Sequence, residues 1–489
     1  MWTILLCSLF SYGPQLLNSF QNGQLLGMAS QRNNDVVYYA LTTKAFLDNG
    51  FINNYQLLNQ DVNEAALKYQ HQGATQIISF ISESINLPPY QCMNIVAIFI
   101  ILETILILTR TVKILCNQLK LRMATAIATG VTTTPILNYI YSNYFLGQMT
   151  GILITACLSL LLCRFAKNQI EQNELFLQVL TLTVLSIYFY PTALIIFLGF
   201  TLIFLQIPGF NITFIRKVDK QAQTLRRASI FGFLSGLVIS APYLVFAINF
   251  VMILSKGNYG WPIRPLDPLS IFVSTKYIDQ LIPTVYLQVL SWLLLVALVL
   301  FVIKYAISIP KSIIISLIPI ICFVVIYVYE IGGSDWGQYK NWKLISFFMP
   351  HFLVIFYCGL MSQKKLGQKI LLFILLTSFT SPYIAWLPIL QGKVPSNVLT
   401  SDQVNLGKDD NLFLKKYESI SVSMPTWFET MAMANILNNK HIALISPSYL
   451  PVVPVDSREC ILQPKAPLNS GAKDSSSKYE LKTIDGAIC

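Results

Sequence analysis

The sequence predicts an α-helical polytopic membrane protein of about eleven transmembrane helices, with a helical first outer loop and a small extracytoplasmic α/β domain at its C-terminus. Three observations lead there. Of the 489 residues, 54% are hydrophobic and only 12% charged, against about 25% charged in a soluble domain. The apolar residues gather in long runs. The lysines and arginines between those runs alternate between rich and poor loops.

A helix needs about 20 apolar residues to cross the hydrocarbon core. Trp2–Phe10 lacks a basic n-region and a small-residue cleavage site. It therefore reads as the end of a first span, with an N-terminal portion missing from this reading frame, rather than as a signal peptide. The spans that follow are Met93–Leu115, Met123–Tyr141, Phe145–Cys163, Leu175–Tyr190, Pro191–Pro208, Ala228–Leu254, Pro283–Ile303, Ser312–Tyr329, Leu344–Met361 and Ile370–Leu390. Leu175–Pro208 is too long for one span, and Tyr190-Pro191 suits a tight turn between two.

Orientation follows from the basic residues. The loops at 113–122, 164–167, 216–227, 304–311 and 364–369 carry fifteen lysines and arginines. The intervening loops carry five, namely Lys256, Arg264, Lys276, Lys340 and Lys343. The rich set is cytoplasmic by the positive-inside rule. The first long loop (12–92) and the tail (391–489) then both face outward. Residues 1–390 form the polytopic domain that includes that loop, and 391–489 form the C-terminal domain.

The net charge of +11 belongs to these short loops, which argues against nucleic acid as a partner and leaves membrane lipid. Of the nine cysteines, Cys116, Cys157, Cys163, Cys322 and Cys358 lie in or beside spans and read as small core hydrophobes. No CxxC pair suggests zinc. Cys460 and Cys489 fall in the tail, where they either pair or stay free.

Two helices are expected in the first loop, around Asp35–Leu47 and Val62–Ile85. The second is amphipathic and suits either the membrane surface or the bundle. In the tail, Ser419–Ser423 and His441–Ile445 read as strands, Pro425–Leu437 as a helix and Asn469–Lys478 as a polar, mobile segment.

No P-loop, GxGxxG or HExxH pattern is present, which excludes the ATP-driven, dinucleotide and zinc-protease signatures. The chemistry-bearing candidates lie on the outer side. Asp35 opens a helix just beyond the first span, followed by Tyr38 and Tyr39. The helix dipole favours its carboxylate as the anion. That is the state a general base needs, and also the state of a simple N-cap. Lys340 and Lys343 are three apart on the helix entering Leu344–Met361, beside Tyr339. With Arg264 they can hold a lipid phosphate, or they can snorkel with Trp336 and Trp342. His71, also in the first loop, is either a substrate contact or a surface histidine. Glu103 and Arg110 share one face of a span, where ionisable groups are costly.

Four features resemble the GT-C superfamily of membrane glycosyltransferases, which includes the protein O-mannosyltransferases and the lipid A aminoarabinose transferases. They are Asp35 with Tyr38 and Tyr39 after the first span, and the long two-helix outer loop. Then come Asn143-Tyr144-Phe145-Leu146-Gly147-Gln148 at the outer end of a span, and Tyr339-Lys340 before a proline-containing span with an extracytoplasmic tail. The resemblance implies inverting transfer of a sugar from a polyprenyl-phosphate donor to a glycan, lipid or protein acceptor, at a bacterial inner membrane. Asp35 is then the base, and Lys340, Lys343 and Arg264 bind the donor phosphate. Tyr38, Tyr39, His71, Gln148 and Tyr339 are candidate substrate contacts. The family's usual acid pair is absent, because position 34 is Asn; no metal ligand set is assigned and dependence on a divalent metal stays open.

Two other classes compete. A transporter or flippase of lipid-linked sugar expects polar groups along a central cavity through several spans. A polysaccharide polymerase or ligase expects an arginine-rich outer loop, whereas the short outer loops hold only Arg264.

Overall fold

The computed structural model describes chiefly residues 72–143, 145–167, 169–189, 220–244, 335–362 and 365–390, with short strands and single helical residues elsewhere. The chain divides into two compact units. One comprises Met1–Pro14 and Ile98–Leu387, the other Gln15–Ala97 and Pro388–Cys489.

Nine helices lie among the described residues: α1 (Gln72–Ile85), α2 (Pro89–Leu115), α3 (Leu121–Thr132), α4 (Pro135–Ser142), α5 (Leu146–Ala166), α6 (Gln172–Phe189), α7 (Lys220–Ile239), α8 (Asp335–Met361) and α9 (Lys365–Leu390). Two of them, α2 and α5, are long and apolar enough throughout to cross a membrane. The expected spans Pro191–Pro208 and Ser312–Tyr329 lie outside the described residues, as do most of Pro283–Ile303 and the end of Ala228–Leu254.

In the helical unit, large apolar side chains face outward, among them Phe99, Leu177, Val238 and Phe373, each more than half exposed. Inside are threonines, serines, Asn138, Gln148 and His351, all buried. Apolar side chains such as Ile101, Leu108, Met149 and Phe347 fill the rest of the interior, so it is the apolar exterior that sets this unit apart from a soluble bundle. In lipid the tails are as apolar as leucine, so helices associate through close packing and hydrogen bonds instead.

The expected span Met123–Tyr141 is in fact two helices, α3 and α4. Pro135 has no N–H and crowds the residue before it, so Thr134 adopts an extended backbone, with φ −56° and ψ 148°. The break is fully buried: Thr132, Thr133 and Thr134 have no exposed surface. Their hydroxyls donate to the carbonyls of Thr129 and Val131. Irregular backbone is tolerated at membrane depth where protein covers it in this way.

The α6–α7 pair packs through small residues. Ala228, Gly232, Gly236 and Ser240 recur every fourth position of the α7 stretch, and Ala228 and Ser240 are buried. A Cβ on Gly232 would sit 2.6 Å from the Phe176 carbonyl oxygen, and one on Gly236 would sit 2.7 Å from Thr183 Cβ. The two backbones approach so closely only because side chains are missing there.

At the rich-loop end of α5, Arg164 grips Glu174 in α6. Both guanidinium nitrogens reach the carboxylate, the second at 2.9 Å, in a bidentate pair. The Arg164 hydrogen bond holds the Glu174 carboxyl below its ordinary range. Lys113, at the end of α2, donates to the carbonyls of Asn117 and Leu119. This satisfies backbone acceptors beyond the helix end.

In the second unit, α1 ends in a fixed elbow. Asn86 takes the left-handed conformation, with φ 51°. The Leu87 N–H donates to the Ser82 carbonyl at 3.2 Å, and the Ser82 hydroxyl donates back to the Leu87 carbonyl. This is a Schellman-type cap, and Pro88 and Pro89 then stop the helix and start α2. Of the expected helix Val62–Ile85, the part after residue 71 is α1. Residues 39, 40, 42–44 and 47, from the other expected loop helix, are helical.

Strands β1 (Phe20–Gln21) and β2 (Gln24–Leu25) form an antiparallel pair. The segment β3 (Ala29–Ser30), from the first loop, pairs antiparallel with β4 (Asn397–Val398), just beyond the last helix. The tail also holds a four-stranded sheet in the order β6-β5-β7-β8, formed by β5 (Ser419–Val422), β6 (His441–Leu444), β7 (Ile461–Pro464) and β8 (Tyr479–Lys482).

The strands expected at Ser419–Ser423 and His441–Ile445 coincide with β5 and β6. These two run parallel, which demands a crossover of a dozen residues or more. Residues 423–440 supply that length. The expected helix Pro425–Leu437 falls in this stretch, outside the described residues.

Candidate functional site

The sequence-derived site divides between residues whose surroundings are described and residues outside the description. Asp35, Tyr38, His71 and Arg264 lie outside it, as do Cys460 and Cys489. Tyr39 is helical and buried. Its carbonyl accepts a hydrogen bond from the Thr43 hydroxyl at 2.7 Å. Thr43 also reaches the Thr75 carbonyl of α1, so this helical stretch and α1 pack together within the outer-loop unit.

Tyr339, Lys340 and Lys343 lie in the second and third turns of α8. The helix therefore begins before the expected span Leu344–Met361 and carries all three residues as one rigid piece. Helical spacing puts Tyr339, Lys343, Ser346 and Pro350 on one face.

Gln148 sits in the first turn of α5 and is 2% exposed. Its Nε2 donates to Ser346 Oγ in α8 at 3.3 Å. Gln148 is thus placed inside the α5–α8 contact, one turn below Lys343, rather than on an open surface.

Five residues further along α8, His351 is buried and shares a hydrogen bond at 2.9 Å between its Nδ1 and Ser159 Oγ of α5. Sequence reasoning missed this residue, although a histidine within an apolar run and directly after Pro350 was the available signal. Between the two bonds, Pro350 has no N–H to give the Ser346 carbonyl, so α8 is weakest at this turn. Beyond it, Phe352 and Phe356 stack at 5.8 Å, with Phe272 against both.

Glu103 is half-buried and Arg110 exposed. Cys92, Cys116, Cys157, Cys163 and Cys358 are free thiols, and all but Cys116 and Cys157 are fully buried. Among the described residues no group of three or more histidines, cysteines or acids stands together.

Comparison with known proteins adds a likeness of shape only. No protein family pattern matches this chain, and no curated protein does. Among solved structures, it is similar to the oligosaccharyltransferase of Archaeoglobus fulgidus in its apo form. It is similar too to the archaeal oligosaccharyltransferase AglB of the same organism, in complex with an inhibitory peptide and a dolichol-phosphate. Each is 11% identical, with a TM-score of 0.49, and the match covers 90% of this chain and 64% of the other. The chain thus spans less than two thirds of the length of these proteins.

Proposed function

We propose that the protein is an integral membrane glycosyltransferase. It takes a sugar from a polyprenyl-phosphate donor and passes it, with inversion, to an extracytoplasmic glycan, lipid or protein acceptor. The observation that carries this reading is the union of the first loop and the tail in one compact unit, tied by the β3–β4 pairing. The charge pattern assigns both segments to the outer side, and the first loop carries Asp35, which the sequence pattern puts at the opening of a helix.

In the proposed reaction, Asp35 takes the proton from the acceptor hydroxyl. The acceptor oxygen bonds to the anomeric carbon as the bond from that carbon to the phosphate oxygen breaks. The electron pair leaves with the lipid phosphate, where charge grows. Fixed cations help most at that point, and Lys340, Lys343 and Arg264 supply them. Tyr38, Tyr39, His71 and Tyr339 are the proposed substrate contacts. Asn34 stands beside Asp35, so these two positions form no acid pair, and the step is written without a metal.

A transporter would line a route through its spans with available polar groups. The buried hydroxyls of Thr104, Thr109, Thr125, Thr129 and Thr155 instead bond to carbonyls four residues back in their own helices. This pattern favours packing over a transport path.

The test is a transfer assay on purified, reconstituted protein offered three donors: a polyprenyl-phosphate sugar, a pyrophosphate-linked oligosaccharide and a nucleotide sugar. Transfer from the first alone is the expected outcome. Turnover of the pyrophosphate-linked donor alone would point to the polymerase or ligase class. Movement of lipid-linked sugar across the bilayer without transfer would establish the transporter.

A further inference from the structure

We propose that α5 splints α8 across its proline, and that Gln148 and Ser159 are positioning residues for the outer turns carrying Tyr339, Lys340 and Lys343. The purpose assigned to those turns, holding the donor phosphate, rests on the proposed function; the splint itself does not.

The argument begins with the backbone. An α-helix keeps its direction because each N–H bonds to the carbonyl four residues back. Pro350 removes one such bond and crowds the Ser346 carbonyl, so the turn from Ser346 to Pro350 is a natural kink. The helix nevertheless runs without interruption from Asp335 to Met361. Its outer end would swing about this turn if nothing outside the helix fixed it.

Two hydrogen bonds from α5 bracket the weak turn. Gln148 Nε2 reaches Ser346 Oγ on the outer side, and Ser159 Oγ meets His351 Nδ1 on the inner side. All four residues are at most 2% exposed, so water does not compete for these bonds. The residue held on the outer side, Ser346, is also the one whose carbonyl the proline leaves without its helical donor. Lys343 stands one turn above Ser346 and Tyr339 one turn above that, on the same face. A fixed Ser346 therefore fixes the helical turns that carry both. Preorganised cations stabilise a leaving phosphate without reorganising during the reaction; cations on a swinging turn do not.

Hydrogen exchange followed by mass spectrometry on the full-length protein tests the splint. The variants are Ser346→Ala and Ser159→Ala, small enough to keep the packing, together with Gln148→Met and the Gln148→Met/Ser346→Ala double variant. Ser346→Ala is expected to speed exchange of amides 335–345 roughly fivefold, the scale of one net hydrogen bond, and to leave α6 at the wild-type rate. The double variant should match the single variants, because both remove the same bond. Wild-type exchange over 335–345 in both Ser346→Ala and Gln148→Met would overturn the splint.

The positioning claim is read from donor kinetics. Ser346→Ala should raise KM for the polyprenyl-phosphate sugar roughly fivefold, with kcat within about twofold. Faster exchange with unchanged KM would reduce the two bonds to packing and overturn the positioning role. No transfer by the wild-type protein would sink the proposed function instead, and the exchange result would decide the splint by itself.

Discussion

Asp35→Asn is expected to leave the protein at normal abundance while transfer falls by roughly 100-fold or more, the scale of a lost general base. The substitution separates the two roles open to this residue. Asparagine caps a helix about as well as aspartate, so a residue that only caps would pass unnoticed through it. Asparagine cannot accept the proton of an acceptor hydroxyl at neutral pH. Protein level and thermal midpoint measure the first role, and transfer by purified protein measures the second. Asp35→Ala adds an internal control, since it should lose both the cap, worth about 1 kcal/mol, and the activity. Full transfer by purified Asp35→Asn protein would remove Asp35 from the mechanism and move the functional reading towards a transporter.

Gly232→Ala and Gly236→Ala are expected to destabilise the helical unit, and Gly232→Leu to do so severely. The sign is informative. In an open helix, glycine to alanine gains up to about 1 kcal/mol from helix propensity alone. Here the new Cβ at position 232 meets the Phe176 carbonyl oxygen at 2.6 Å, and the one at 236 meets Thr183 Cβ at 2.7 Å. A carbonyl oxygen, and a Cβ whose place the backbone sets, cannot turn aside as the end of a flexible side chain can. The helices must separate, and overpacking of this kind costs about 1–3 kcal/mol. The effect should appear as a lower thermal midpoint and a lower yield after solubilisation. Val238→Leu, at an exposed position of the same helix, should behave like wild type. A raised midpoint for both alanine variants would mean that α6 and α7 do not pack as described.

The sequence carried some of this plainly and some of it not at all. Helix α5 and the strands β5 and β6 were legible because each has one strong local signal, an apolar run of span length or a short alternation of residue types. The break at Thr134 was not, although Pro135 stood in view. Hydropathy averaged over a window runs straight through a proline, and three threonines differ little from alanine on such a scale. The proline at 191 was noticed only because its stretch was too long for one span. The small-residue pattern Ala228-Gly232-Gly236-Ser240 was equally visible, but its meaning depends on which helix lies opposite. Strands β7 and β8 are four residues each, too short to declare a period by themselves. Their assignment needs the partner strand, where Leu462 pairs with Leu481.

The candidate site was legible as residue types rather than as positions. Gln148 drew attention as part of a Gly-Gln pair at the outer end of a span. Its burial against Ser346 depends on how α5 and α8 cross, which no spacing along one helix reveals. His351 was overlooked for a related reason. Its partner Ser159 stands 192 residues away, so no local pattern joins the two.

The function proposed for this protein requires the first loop and the tail to share the outer side of the membrane, where a donor carried by lipid meets an extracytoplasmic acceptor. Topology reporters test this most directly. A reporter fused after Lys220 is expected to be cytoplasmic, and one fused after Lys408 extracytoplasmic. Finding both on one side, or Lys408 inside, would contradict the reading and leave Asp35 on the wrong side of the membrane for the chemistry assigned to it.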